Sequence, residues 1–243
     1  MERIQKIVAN RGYCSRRKAE ELLQKGKIKV NGQTIYELGT LVNENDVIEV
    51  EGNVLGREEK EYILLYKPRG VVTTTSDDKH RKTVLDIVKS KKRIYPVGRL
   101  DYDTSGLLLL TNDGELTNKL IHPKNEIEKT YVAKVKGLVN KEALKQLCNG
   151  VDIDGYKTAR AKARLKKYDK KTNYSIVELT IHEGKNHQVK RMFEALGFEV
   201  VKLKRETFSF LNLSGLTSGE YRNITPKEVK ILYNEVNKKS KDN

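Results

Sequence analysis

Cysteine is scarce in this chain of 243 residues, which contains only Cys14 and Cys148. The two cysteines are far apart in sequence and neither belongs to a Cys-x-x-Cys pair, so the sequence predicts neither a disulfide framework nor a zinc site. The histidines also lack the spacing of paired metal ligands; they are His80, His122, His182 and His187. We therefore expect the chain to bind no metal.

Long apolar runs are missing as well. No segment approaches the roughly 18 apolar residues that a membrane-spanning helix needs. The first ten residues, MERIQKIVAN, are too charged for a secretory signal. These absences predict a cytoplasmic protein that does not associate with membranes.

Acidic residues are outnumbered in this sequence. The chain has 48 Lys or Arg against 33 Asp or Glu, a formal net charge of +15 and a pI near 9.6. An excess of this size predicts a polyanionic partner, and a basic balance that only aids solubility is the alternative. The distribution favours a partner, because residues 1–30 contain nine Lys or Arg and three acids, whereas residues 31–50 contain four acids and no Lys or Arg.

The first fifty residues predict a small, self-contained domain. Apolar side chains recur at helical spacing in two segments, and the pair Asn31-Gly32 is a strong hairpin signal between two short strand patterns. Ser15 is placed to cap the second helix, so the first turn of that helix contains three cations, where the helix dipole disfavours positive charge. A bound phosphate would offset this cost, and a merely solvated basic turn is the alternative.

The same region resembles a known RNA-binding module. The segment SRRKAEELLQKGKIKVNG, within residues 1 to about 48, is similar to the small alpha-L RNA-binding domain, and the resemblance implies binding to structured RNA without any chemistry. The candidate RNA-binding residues here are Arg11, Ser15, Arg16, Arg17, Lys18, Lys27 and Lys29.

Residues 52–60, GNVLGREEK, form a polar connector that predicts a domain boundary. Beyond it several strand patterns succeed one another without a helix between them, so a doubly wound parallel sheet is not expected. We predict an α+β chain with domains over residues 1–52 and 61–236, the second built on a mostly antiparallel mixed sheet flanked by helices. Thr225-Pro226-Lys227-Glu228 predicts a capping box that opens a final helix, and residues 237–243 are expected to be a disordered tail.

The segment VGRLDYDTSGLLLLTNDGEL, residues 97–116, contains the candidate chemistry. Turn-forming residues predict a loop over 98–105, with Gly106 opening a buried strand of four leucines. Asp101 and Asp103 would then stand at the rim of the sheet. Either acid could instead accept backbone hydrogen bonds in a turn, or pair with Arg99 as a structural ion pair.

This segment resembles the signature of RNA pseudouridine synthases. Three further blocks are similar to those of the ribosomal RsuA/RluB-type subfamily, which has an N-terminal alpha-L domain, and their order is the same. The blocks are KPRGVVTT at 67–74, EKTYVAKVKG at 128–137 and EGKNHQVKRMFEALGFEV at 183–200. Two of the four segments are most similar to enzymes of large-subunit ribosomal RNA. The resemblance implies a monomer that isomerises specific uridines of ribosomal RNA, free or in a subunit precursor, to pseudouridine without a cofactor.

The resemblance also implies roles for individual residues. Asp101 matches the catalytic aspartate, with Asp103 in a supporting position, and Arg99 matches the side chain that fills the space left by a flipped nucleotide. Tyr131 matches the aromatic residue that stacks on the target uracil; as an inward residue of an alternating strand it could also be a plain core tyrosine. Lys190 matches the basic residue that pairs with the catalytic carboxylate.

A helix predicted over residues 186–196 supplies further basic positions. Its apolar stripe leaves Arg191 on the opposite side, suited to an RNA phosphate, and Lys190 on the flank. Where other family members have arginine, this sequence has Lys185 and Lys190, which keep the charge and lack the bidentate fork. His187 and Gln188 are expected to hydrogen-bond to backbone or to RNA.

Two other functions compete with this interpretation. A non-catalytic RNA-binding or ribosome-assembly factor would explain the charge and the first domain equally well. A metal-dependent nuclease would use Asp101, Asp103 and Asp113 with divalent ions. Asp113 lies in an Asn-Asp-Gly turn after the leucine strand, and we expect it to be too far from Asp101 to share a metal with it.

Overall fold

Residues 1–239 are described by a computed structural model, and they form two compact units. The first unit contains Met1–Glu61 together with Ser90–Tyr95 and Thr111–Gly114, and the second contains Tyr62–Lys89, Pro96–Leu110 and the chain from Glu115 onward. No helix within the described residues is long and apolar enough to cross a membrane.

The first unit combines two helices with short strands. Its elements are β1 (Glu2–Arg3), α1 (Ile4–Asn10), α2 (Arg16–Gln24), β2 (Ile28–Val30), β3 (Gln33–Ile35), β4 (Leu41–Val42), β5 (Ile48–Val50) and β6 (Asn53–Val54). Strands β3, β2, β5 and β6 form an antiparallel sheet in that order, and β1 pairs with β4. Apolar side chains of both helices, such as Val8 and Leu23, form one buried cluster with Ile28 and Val50 of the sheet.

Local features of this unit follow the sequence prediction closely. Lys18 N donates to Ser15 Oγ over 3.1 Å, so Ser15 caps α2 as expected. Asn31 and Gly32, with φ of 49° and 83°, form the turn between β2 and β3. Strand β6 pairs with β5, so the strand pairing of the first unit extends two residues beyond the predicted boundary at residue 52. Strand β6 has only two residues, which is too few for an alternation of apolar and polar side chains to be visible in the sequence.

The rest of the chain contains eleven strands, four α-helices and two 3₁₀ turns within the described residues. They are β7 (Tyr62–Lys67), a turn at Val84–Asp86, β8 (Tyr95–Pro96), β9 (Thr104–Thr111), α3 (Gly114–Ile121), a turn at Pro123–Asn125, β10 (Lys129–Lys136), α4 (Lys141–Asn149), β11 (Asp152–Ile153), β12 (Tyr156–Lys157), β13 (Lys162–Asp169), β14 (Tyr174–Ile181), α5 (Gln188–Ala195), β15 (Val200–Phe208), β16 (Leu211–Asn212), β17 (Tyr221–Asn223) and α6 (Pro226–Lys239).

A mixed sheet organises these elements. Its main path runs β13, β14, β10, β15, β9, β7 and β17, with β16 beside β15 and β8 beside β9. Strands β13, β14, β10 and β15 pair antiparallel, whereas β15 and β9 run parallel. The α+β class and the mostly antiparallel mixed sheet are confirmed. Leu107 and Leu109 of β9 pack in one buried cluster with Leu116 and Leu120 of α3 and Leu232 of α6.

The leucine strand begins earlier than the sequence predicts. Strand β9 starts at Thr104, so Gly106 lies inside the strand instead of releasing the chain into it. Gly106 has a φ of +119° and is paired with Arg205 of β15, and a Cβ at position 106 would stand 2.2 Å from the Arg205 carbonyl oxygen. The two backbones approach so closely that only glycine fits. A glycine that signals a turn in sequence here marks a close strand contact.

The final helix also extends beyond its predicted end. Thr225 and Glu228 form the predicted capping box: Thr225 N donates to Glu228 and Glu228 N donates to Thr225 Oγ1. Hydrogen bonds from Arg222 lower the pKa of Glu228 to about 2, so this cap carries a charge at neutral pH. Helix α6 continues to Lys239, so residues 237–239 of the predicted disordered tail are helical, and residues 240–243 lie outside the described residues.

We predict that Gly106→Ala lowers the free energy of unfolding by more than about 2 kcal/mol, because a positive φ costs a non-glycine residue about 1–3 kcal/mol and the new Cβ also meets backbone. Gly56→Ala is the matched control, since a Cβ added at Gly56 would have no atom within 4 Å and the residue has no positive φ. Urea unfolding of both variants checks this, and equal stabilities would contradict the close contact.

Candidate active site

A cavity of about 280 Å³ opens in the second unit. Its walls come from the loop before β9, the end of α3, the inward face of β10, the segment that joins β14 to α5, and β15. The apolar part of the lining includes Val97, Leu100, Ile181, Val189 and Leu203. This volume is near the lower end of the roughly 300–1,000 Å³ of small-molecule sites, so the cavity suits one nucleoside better than a stack of bases.

Asp101 lies in the cavity wall, in the loop that leads to β9. Two basic groups face its partly exposed carboxylate: His187 Nε2 is 3.4 Å from Oδ1, and Lys190 Nζ is 3.7 Å from Oδ2. The neighbouring backbone is fixed, because Thr73 Oγ1 is hydrogen-bonded to both the nitrogen and the oxygen of buried Leu100. The carboxylate is therefore held in place and reachable from the cavity.

Lys190 serves two carboxylates at once. Its Nζ donates to Asp103 Oδ1 over 2.6 Å, and the contact with Asp101 is longer. Burial acts to raise the pKa of Asp103, and the hydrogen bond and charge of Lys190 more than offset this, so the pKa of Asp103 is lowered. A compact ammonium group can lie between two acids in this way, whereas a guanidinium fork favours one carboxylate face.

Lys67 fixes the backbone of the Asp101 loop through hydrogen bonds from a buried side chain. It is the last residue of β7 and its side chain is fully buried. Its Nζ donates to three backbone carbonyls, those of Pro68 at 3.0 Å, Asp101 at 3.1 Å and Thr104 at 2.9 Å. An ammonium group has three N–H donors, so this arrangement uses all of them. The loop is thereby tied to the end of β7, which lies between β9 and β17 in the sheet.

An aromatic ring and a buried cation form the inner part of the cavity. Tyr131 of β10 and Arg205 of β15 are cross-strand neighbours, they are 8% and 3% exposed, and both line the cavity. Arg205 Nε donates to the Leu107 carbonyl over 2.7 Å, and the guanidinium carbon lies 5.4 Å from the centre of the Phe208 ring. The cavity thus offers an apolar, aromatic interior beneath a charged rim.

Two protein-family models match this chain. A model described as S4 domain matches residues 2–48, and a model described as RNA pseudouridylate synthase matches residues 61–195, which is more than half of the chain. The chain belongs to the RNA pseudouridylate synthase family.

Individual relatives agree with this assignment. The synthase is 61% identical over 233 residues to the ribosomal large subunit pseudouridine synthase B of Bacillus subtilis (strain 168), and the match covers 96% of each chain. It is 35% identical over 243 residues to the dual-specificity RNA pseudouridine synthase RluF of Escherichia coli (strain K12), which covers 99% of this chain and 81% of that protein. A solved structure, described as the crystal structure of pseudouridylate synthase, matches with a TM-score of 0.69 and 32% identity, and covers 96% of this chain and 100% of the other.

The predicted enzyme class and family are therefore confirmed, as is the order of the two domains. The structure brings most of the predicted site residues of the synthase together: Asp101, Arg99 and Tyr131 line the cavity, and Lys190 contacts Asp101. His187 faces the Asp101 carboxylate directly. Their catalytic and binding roles stay predictions.

Two of the predicted phosphate ligands have acceptors within the fold, and their RNA-binding roles stay predictions. The Arg11 guanidinium donates to the carbonyls of Leu55, Glu44 and Asp46, so it braces the first unit. Arg191 is paired with Asp154 and donates to the Asn186 carbonyl. The acceptors of Arg11 come from segments that are distant in sequence, so the local pattern does not show them.

Sequence reasoning missed two residues of the synthase site, Lys67 and Arg205. The pattern around Lys67 is typical of a solvated lysine at a strand end, and only the folded loop shows its three acceptors. Arg205 was detectable in principle, because it is two residues from Leu203 in a strand and therefore lies on the same inward face.

The described residues provide no set of ligands for the metal ion that a metal-dependent nuclease would need. Within residues 1–239, no group of three His, Cys, Asp or Glu side chains lies close enough together to hold a metal ion. The two acids of the rim are instead faced by Lys190, whose charge stands where a nuclease would need a cation.

We predict a pH-dependent contribution of Lys67 to stability. Burial lowers the pKa of Lys67 from 10.5 to about 8, although the charges of Asp101 and Asp103 act to raise it. Between these two values the unfolded chain binds a proton that the folded chain has lost, so the contribution of this group to stability rises with pH. Relative to Lys67→Met, the wild type should gain roughly 1–3 kcal/mol in free energy of unfolding from pH 7 to pH 10.

Urea unfolding of both proteins at several pH values checks this. The Met variant serves as the control, because it shares every other titrating group with the wild type. A difference between the two proteins that stays constant with pH would contradict the lowered pKa.

Proposed function

We propose that this synthase converts specific uridines of large-subunit ribosomal RNA to pseudouridine, and that Asp101 is its catalytic carboxylate. The name of the Bacillus relative, 61% identical over 96% of each chain, supports this target. The catalytic role rests on one observation above the others: the Asp101 carboxylate borders a nucleoside-sized cavity and faces His187 and Lys190. The substrate is ribosomal RNA, either free or in a partly assembled subunit.

The target nucleotide must leave its base stack to enter the cavity. Unstacking and unpairing cost a few kcal/mol. Arg99 is exposed at the mouth of the cavity, where it can fill the space that the nucleotide leaves. Tyr131 presents an aromatic ring inside the cavity, on which uracil can stack. Both contacts offset part of the cost of flipping.

The reaction is an isomerisation in which one bond is exchanged for another. The bond between C1′ of the ribose and N1 of uracil breaks, the base turns, and a bond forms between C1′ and C5. The proton lost from C5 and the proton gained by N1 balance. Asp101 acts either as nucleophile at C1′ or as base toward the proton on C2′. Lys190 and His187 hold the charge of this carboxylate close to the sugar.

Replacement of Asp101 by Asn should abolish the chemistry and spare the binding. We predict that pseudouridine formation on a large-subunit ribosomal RNA transcript falls by about 1,000-fold or more, as for the loss of other central catalytic groups, while the Kd for that RNA changes less than about threefold. Single-turnover assays and filter binding measure the two quantities. A non-catalytic binding protein would show no activity to lose, and an Asn variant as active as the wild type would exclude Asp101 as the catalytic group.

The S4 domain supplies the second half of the proposal, recognition of structured RNA. Arg16, Arg17 and Lys18 are exposed in the first turn of α2, and Ser15 is occupied as the helix cap. Lys27 and Lys29 lie nearby in sequence and are exposed as well. Cations at a helix N-terminus are unfavourable for the helix alone, and RNA phosphates that contact both the cations and the free N–H groups reverse this.

We predict that the triple change of Arg16, Arg17 and Lys18 to Gln weakens RNA binding and reduces the slope of log Kd against log salt by about 0.7–0.9 for each phosphate that the variant no longer neutralises. A triple Gln variant of Lys167, Lys170 and Lys171, three exposed lysines near the turn between β13 and β14, removes the same charge and is the control. Equal salt slopes for the two variants would argue against a specific phosphate site on α2.

A further inference from the structure

Arg205 is a buried cation whose donors are only partly used. Its side chain is 3% exposed, and Nε is bonded to the Leu107 carbonyl. Nη2 is buried without a hydrogen-bond partner in the part of the chain that the structure describes, and no carboxylate there lies within 4 Å of the guanidinium. A buried donor with no partner is costly. A structural role of Arg205 does not explain this arrangement.

The fold places Arg205 in the wall of the cavity that is proposed to receive the base. Arg205 is the direct cross-strand neighbour of Tyr131, and both residues line the same cavity as Asp101. Its strand lies against Gly106, where the absent side chain allows the close approach of β9 and β15. The bond to the Leu107 carbonyl and the contact with Phe208 fix one end of the guanidinium, so the unused donor is preorganised.

The chemistry of the proposed reaction creates a charge that such a donor can meet. When the C1′–N1 bond breaks, its electron pair leaves with the base, and the resulting uracil anion spreads its charge over N1, O2 and O4. Asp101 is an anion and stands on the side of the sugar, so it cannot stabilise this charge. Preorganised donors aimed at a developing anion in a dry site are worth roughly 100- to 1,000-fold in rate.

We propose that Arg205 Nη2 donates a hydrogen bond to a carbonyl oxygen of the flipped uracil and stabilises the uracil anion as it separates from the ribose. Arg205 is then a second catalytic residue, which acts on the leaving base while Asp101 acts on the sugar. This inference rests on the proposed function.

The test compares two substrates that differ in the acidity of the base. Fluorine at C5 withdraws electrons, so the anion of 5-fluorouracil needs less stabilisation than that of uracil. Large-subunit ribosomal RNA transcripts made with uridine or with 5-fluorouridine are treated with wild type and Arg205→Met in single-turnover reactions. Consumption of the target nucleoside is measured by mass spectrometry after nuclease digestion. Met keeps most of the length and the apolar contact with Phe208, and it removes every donor.

The expected loss for Arg205→Met is about 100-fold or more on uridine and at least about tenfold smaller on 5-fluorouridine. Lys129→Met is the matched control, because it removes another cation that lines the cavity. Lys129 Nζ donates to two backbone carbonyls, so the loss of activity for this variant should be the same on both substrates. An equal loss on both substrates for Arg205→Met, or no loss, would overturn the inference.

Folding and the underlying function are tested separately. If Arg205→Met does not unfold cooperatively in urea, Arg205→Lys replaces it, because Lys keeps the charge and loses the fixed fork. The loss of activity for Arg205→Lys is again expected to be larger on uridine than on 5-fluorouridine. Equal losses on the two substrates would contradict the role. If the wild type converts no uridine in either RNA, the proposed function itself fails. Activity of the wild type combined with equal losses for Arg205 variants refutes the role of Arg205 alone.

Discussion

A buried ammonium group is the constraint on which the rest of this site depends. Lys67 Nζ bonds three carbonyls, and two of them belong to Asp101 and Thr104, the residues on either side of the turn into β9. Removal of this group would take a buried donor from both carbonyls and leave the Asp101 carbonyl with only the Thr104 N–H, which costs stability. The position of the Asp101 carboxylate, and hence its contacts with Lys190 and His187, follows from this tie.

The parallel contact of β9 and β15 is the second structural requirement. It places the loop with Asp101 at the end of one strand and Arg205 on the adjacent one, while antiparallel pairing of β10 with β15 brings Tyr131 beside Arg205. The acid that we propose acts on the sugar and the groups that we propose meet the base therefore come from neighbouring strands of a single sheet. Gly106 is the residue that permits this arrangement, because any side chain at that position would meet the backbone of β15.

Local patterns in the sequence predicted local structure well. The cap at Ser15, the turn at Asn31-Gly32 and the capping box at Thr225 depend on a few adjacent residues, and each is present. The assignment of Asp101 came from a resemblance that spans nearly the whole chain, and the fold and family are confirmed. The sharing of Lys190 between Asp101 and Asp103 did not follow from the sequence, because a helical pattern gives the direction of a side chain and not its distances.

Features that depend on distant segments could not be predicted. The side chains of Lys67 and Arg11 donate hydrogen bonds to backbone carbonyls from other parts of the chain. The sequence therefore gave no role to Lys67 and suggested RNA binding for Arg11. Gly106 resembles a turn residue in sequence because its close neighbour, Arg205, is about a hundred residues away along the chain. Burial of a charge is a tertiary property, and the sequence around Lys67 gives no sign of it until the acceptors of its ammonium group are placed.

The central claim is that Asp101, and not its neighbour Asp103, acts on a uridine of large-subunit ribosomal RNA. Mapping of pseudouridines in the ribosomal RNA of cells that lack the gene, and of such cells supplied with wild type, Asp101→Asn or Asp103→Asn, tests it most directly. The account predicts that a defined large-subunit position loses pseudouridine without the gene, regains it with wild type and at least in part with Asp103→Asn, and stays unmodified with Asp101→Asn. Restoration of that position by Asp101→Asn would contradict the account.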